Sequence, residues 1–127
     1  ADELISEAQC MYNVLTARGI DGAYAEDYCY LLSRALFSDP VAYAKALARS
    51  TADDEAGQTL IMGGTAYGAD YYPADCETAV SALDTAISAN TLTAEETGWA
   101  KLLRYYLVNP NSGYYADYPK TPAELEN

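Results

Sequence analysis

This sequence has no histidine, and it has one phenylalanine against thirteen tyrosines. The missing histidine removes the commonest general base and the commonest metal ligand, leaving enzyme chemistry to carboxylates or tyrosine. Bases are scarce too: seven Lys and Arg face nineteen Asp and Glu, for a net charge of −12. Such a chain is repelled by nucleic-acid backbones and by anionic lipid surfaces. Its natural charged partner is a basic protein surface. No apolar run approaches the ~20 residues of a membrane-crossing helix. The three cysteines, Cys10, Cys29 and Cys76, show no zinc-site or CxxC spacing. They allow one disulfide and one leftover thiol, with the pairing open.

Signatures of other chemistries are missing as well. Gly63-Gly64-Thr65-Ala66-Tyr67-Gly68 follows an apolar run like a phosphate loop. It fits neither GxGxxG nor GxxxxGK[ST], and no βαβ pattern surrounds it. Asp53-Asp54-Glu55 and Asp70 to Asp75 lack the alternating order of a calcium loop. Nothing places two carboxylates in an apolar cleft for glycosidase work. These patterns predict no catalytic residue, no metal and no cofactor.

What is there reads as helix. At 127 residues, half of them hydrophobic, the chain is long enough for one core. Acids gather at predicted helix starts (Asp2-Glu3, Asp21, Asp39, Asp53 to Glu55, Asp75, Glu95-Glu96). Bases come later in those segments (Arg18, Arg34, Arg49, Lys101, Arg104). That order complements the helix macrodipole.

Leu4, Ala8, Met11 and Leu15 mark a helix over residues 2–18, and Gly19 ends it. A second helix over 22–37 carries Tyr24, Tyr28, Leu31, Leu32 and Ala35 on one face. Asp39-Pro40 stops it and starts a third over 40–50, with Val41, Ala44, Leu47 and Ala48 inward. Residues 53–62 read more weakly as its helical continuation. Gly63 to Pro73 holds three glycines and a proline, which bar a helix and make the stretch a crossover loop. Asp75 is the expected cap of a helix over 76–89, burying Cys76, Val80, Leu83 and Ile87. Thr93-Ala94-Glu95-Glu96 is a capping box. It opens a helix over 94–108 with Trp99, Leu102, Leu103, Tyr106 and Leu107 inward. Asn109-Pro110 ends that helix. The pattern predicts an all-α fold: an up-down-up-down four-helix bundle over 1–108 and a flexible Tyr/Pro-rich tail over 109–127.

Six tyrosines fall outside the predicted helices: Tyr67, Tyr71 and Tyr72 in the loop, and Tyr114, Tyr115 and Tyr118 in the tail. Tyrosine gives a binding surface large contact area and one hydrogen-bonding handle. The competing role is to seal the ends of the bundle. Lys101, Arg104 and Lys120 are the bases expected to add charged contacts to a partner.

The whole-chain pattern combines an exported-looking start at Ala1-Asp2-Glu3, an acidic helical bundle and a short Asn109-to-Pro119 tail. In this it resembles the small extrinsic lumenal proteins of photosystem II, and among them the PsbQ-like protein of diatoms. The resemblance implies a non-catalytic subunit, peripheral to a membrane complex in the chloroplast thylakoid lumen. Its partners would be the photosystem II core and other extrinsic subunits. It would support oxygen evolution by shielding the manganese cluster and helping to retain calcium and chloride. Plant PsbQ is typically basic, so the contacts of this acidic chain would be its own. The alternative is a secreted or periplasmic bacterial helical protein of the inhibitor or immunity type.

Overall fold

A computed structural model describes the backbone of residues 23–50, 62–63, 65–66, 68–109, 118–119 and 121–126. Side chains are described from residue 30 onward within these, Ser50 excepted. The expected helix over 2–18, most of 53–62, and the side chains of Cys10 and Cys29 lie outside the described residues.

Among the described residues five helices form: α1 (Ala23–Ser38), α2 (Pro40–Ser50), α3 (Pro73–Ala89), α4 (Ala94–Val108) and α5 (Pro122–Glu126). Met62, Gly63, Thr65, Ala66, Gly68 and Ala69 are helical as well, and no strand occurs among the described residues. The all-α class therefore holds. The up-down-up-down order of four helices is not established by the described residues, and a further helix lies inside the expected tail.

The molecule is built around α4, which packs against α2, α3 and α5; α1 packs against α2 and α3. The inward set expected for α4 is the observed one: Trp99, Leu102, Leu103, Tyr106 and Leu107 are all buried. The face buried by α2 is broader than its apolar stripe, adding Tyr43 and Ala46 to Ala44, Leu47 and Ala48. Alanine at three of these positions lets neighbouring backbones approach. Burial of each large side chain stabilises the fold by roughly 1.5–3 kcal/mol.

Local signals set most boundaries. The Asp39 carboxylate accepts from the Ala42 amide at 3.0 Å, and Pro40 occupies the first position of α2. The capping box is complete: the Glu96 amide donates to Thr93 Oγ1 at 3.1 Å and the Thr93 amide donates to Glu96 Oε1 at 2.9 Å. Asn90 closes α3 in the left-handed conformation, φ 59°. Asp75 does not cap α3. That helix starts three residues earlier than expected, after Tyr72, which makes no side-chain capping bond. Pro73 at the first position has the required φ and removes one of the amide protons that a helix start leaves unpaired. Asp75 instead sits in the first turn, where its charge favours the positive end of the helix.

Gly63 to Pro73 corrects a second expectation. Gly63 and Gly68 are helical, as is Ala69, and among the described residues a turn follows at Asp70 and Tyr71. The Tyr72 amide closes that turn on the Ala69 carbonyl at 3.0 Å. Met62, Thr65, Ala66 and Ala69 stand at i, i+3, i+4 and i+7, and all four are buried. A hydroxyl–hydroxyl hydrogen bond between Thr65 and Tyr43 ties this stretch to α2. A glycine costs a helix only about 1 kcal/mol, which burial of such a face outweighs.

The tail is the third correction. Its described part is seated on α4 and is no free appendage. Thr121 Oγ1 accepts from the Glu124 amide at 3.2 Å and caps α5. Leu125 packs against the core, and Pro122 meets Gly98.

Candidate functional site

The turn from Asp70 to Pro73 forms a ridge with a groove on each side. One groove, about 470 Å³, lies between α3 and the end of α4. Pro73, Val80, Leu107 and Val108 give it an apolar surface, and Asp70, Glu77 and Asp84 supply its carboxylates. The other, about 360 Å³, lies toward α1 and is lined by Tyr30, Arg34, Phe37, Tyr72 and Asp75.

The ridge carries the most exposed aromatic side chain among the described residues, Tyr71, at 67%. Tyr72 is 39% exposed and Tyr30 47%. Tyr72 meets Phe37 edge to face with centroids 6.1 Å apart, so one of its edges is fixed to α1. Arg34 lies over the Tyr30 ring at 5.8 Å and donates to the Tyr30 hydroxyl at 3.3 Å. Val108 completes the apolar part of this face at 45% exposure.

Tyr118 behaves differently. Its ring packs edge to face on Tyr105 (5.4 Å) and Tyr106 (5.2 Å), and its hydroxyl donates to the Asn109 carbonyl. It therefore seals the end of α4. Its pKa is pushed up by burial, then by Tyr105 and by the charge of Asp70. Asp70 lines the same groove as Leu107 and Val108 at the C-terminal end of α4. Tyr106, deeper in, is pushed up to about 12, first by burial and then by Glu124, Tyr118 and Tyr105.

The charged candidates also separate. Arg104 Nε donates to Asp84 at 2.5 Å, so its contact is within the chain. With both partners partly exposed, that bridge contributes little to stability. Lys101 is exposed on α4 and lines neither groove. Tyr67, Tyr114, Tyr115 and Lys120 lie outside the described residues.

Cys76 is buried, as its place on the helical stripe predicts, and carries a free thiol. Its Sγ donates to the Ala69 carbonyl at 3.2 Å. Burial, then Asp70 and Asp75, push its pKa up, which keeps it protonated and a poor nucleophile. Among the described residues no group of three or more His, Cys, Asp or Glu could hold a metal ion. No helix there is long and apolar enough to cross a membrane.

Sequence reasoning did not single out Tyr30, Val108 or the carboxylates of the α3–α4 groove. Tyr30 was legible as the residue off the Leu32–Ala35–Leu36 face of α1. The groove itself needs two helices to be brought together. No protein-family model, no curated protein and no solved structure matches this chain.

Proposed function

We propose that this chain is a non-catalytic docking protein whose contact surface is the Asp70–Pro73 ridge. The exposure of Tyr71 and Tyr72 beside Tyr30 is the observation that carries this reading. Each is a large, nearly rigid surface that gains contact area at low entropic cost, the composition typical of binding faces. The net charge of −12 selects a basic partner surface.

In its most specific form the partner is the lumenal face of photosystem II. That form rests on the resemblance to the PsbQ-like extrinsic proteins and on the acidic helical build. There the chain would sit peripherally in the thylakoid lumen, against core and extrinsic subunits, and support oxygen evolution. Adding the protein to salt-washed diatom photosystem II tests this form. Rebinding with a rise in oxygen evolution supports it; neither effect removes it.

A second reading is a secreted or periplasmic inhibitor that masks a basic enzyme site. The carboxylates of the α3–α4 groove favour it to the same degree. The precursor sequence separates the two: a bipartite plastid-type presequence fits the first, and a simple signal peptide fits the second.

A further inference from the structure

We infer that the groove between α3 and the end of α4 takes a short basic segment of a protein partner, an aliphatic side chain flanked by lysine or arginine. The inference rests on the docking reading above and gives the partner its chemistry.

The floor sets the aliphatic requirement. Pro73, Val80 and Leu107 lie along it, and Val108 remains 45% exposed at its edge. Covering such a surface with an aliphatic side chain removes apolar area from water on both partners. The rim sets the charge. Asp70 and Glu77 place carboxylates beside that floor, and Asp84 adds a third that Arg104 already partly neutralises. Arg104 already shows what the rim accepts: its guanidinium sits 2.5 Å from Asp84. An anionic ligand is repelled both by the rim and by the net charge of −12. The volume, about 470 Å³, is of the size that holds a drug-sized ligand or a few peptide side chains.

The probe is a fluorescein-labelled synthetic heptapeptide, Lys-Leu-Arg-Val-Lys-Leu-Arg, titrated into the full chain by fluorescence anisotropy. E77K changes the rim. E95K makes the same charge change on exposed Glu95, at the opposite end of α4. The inference predicts that E77K weakens binding about tenfold or more and E95K less than about twofold. V108S weakens it about fivefold through the floor. Circular dichroism confirms that each variant keeps its helicity. Equal losses for E77K and E95K overturn the inference, because binding is then only bulk charge attraction.

Amide-shift mapping with the unlabelled peptide locates the contact. Saturable shifts at Glu77, Val80 and Val108 support the groove. Shifts confined to Tyr30, Phe37 and Tyr72 overturn it while leaving docking through the tyrosine ridge intact. No saturable shift at all also overturns the groove, and reconstitution with the partner then decides the docking reading separately.

Discussion

The Tyr106 hydroxyl donates to the Pro119 carbonyl at 3.0 Å, and so fastens the tail to the buried face of α4. Tyr118 reinforces the joint by covering Tyr105 and Tyr106 with its ring and bonding the Asn109 carbonyl. Among the described residues, the tyrosines expected to bind partners therefore divide into two groups. Tyr118 closes the fold, while Tyr71 and Tyr72 face outward.

Y106F removes the bond to Pro119 and leaves the ring in place. It should cost about 1 kcal/mol, the net worth of one such hydrogen bond. Y118A removes two edge-to-face contacts and should cost about 2 kcal/mol. Thermal melts followed by circular dichroism read both. An unchanged Y118A melting temperature would show that the tyrosine cluster does not hold the tail.

The same residue sets an alkaline limit. Tyr106 has a pKa of about 12 in the fold, above the ordinary value of 10.0. Between these values the unfolded chain releases this proton and the folded chain keeps it. The contribution is therefore complete below pH ~10 and is lost as pH rises toward ~12. Urea midpoints should fall through that window, and the fall should be shallower in Y106F. The difference between wild type and Y106F in tyrosinate absorbance should show one hydroxyl titrating late. Parallel urea curves would contradict this.

Gly98 lies against Pro122: a Cβ built there would stand 3.0 Å from the proline Cβ. G98A should add up to about 1 kcal/mol of helix propensity to α4. It should also push α5 away. The predicted result is a melting temperature no lower than wild type, with faster hydrogen exchange at the Leu125 amide, which bonds the Thr121 carbonyl at 3.2 Å. Unchanged Leu125 protection would mean that α5 shifts to accommodate the methyl group without loosening.

What could be read from the chain was what neighbours in sequence decide. The Thr93–Glu96 box and the Asp39-Pro40 start depend on residues within one turn, and both form as expected. Thr121-Pro122-Ala123-Glu124 repeats the Thr-x-x-Glu pattern of the α4 start, so α5 carried a legible signal that Tyr/Pro content obscured. Helical backbone at Gly63, Thr65, Ala66, Gly68 and Ala69 was hidden for another reason. Local glycine content argues against it, and the burial that outweighs glycine exists only once α2 is in place. For the site, the loop tyrosines were visible, but which of them are already occupied was not. Tyr118 finds Tyr105 and Tyr106 across the chain, and Arg104 finds Asp84 on α3. Partners so far apart in sequence leave no pattern in it.

The docking reading separates from a sealing role at Tyr71 and Tyr72. Replacing both with alanine should leave the fold intact at a cost of about 1–2 kcal/mol, since both side chains are exposed and the Phe37–Tyr72 edge contact is among the packing lost. The most direct measurement is rebinding of wild type and this double variant to salt-washed diatom photosystem II, with melting temperatures taken in parallel. The account predicts that wild type rebinds and raises oxygen evolution. The variant should stay folded and bind at least about tenfold more weakly, as loss of an aromatic anchor does. Wild type that fails to rebind would contradict the photosystem assignment. Equal binding by the two proteins, or a variant that unfolds, would contradict the claim that these tyrosines are the docking surface.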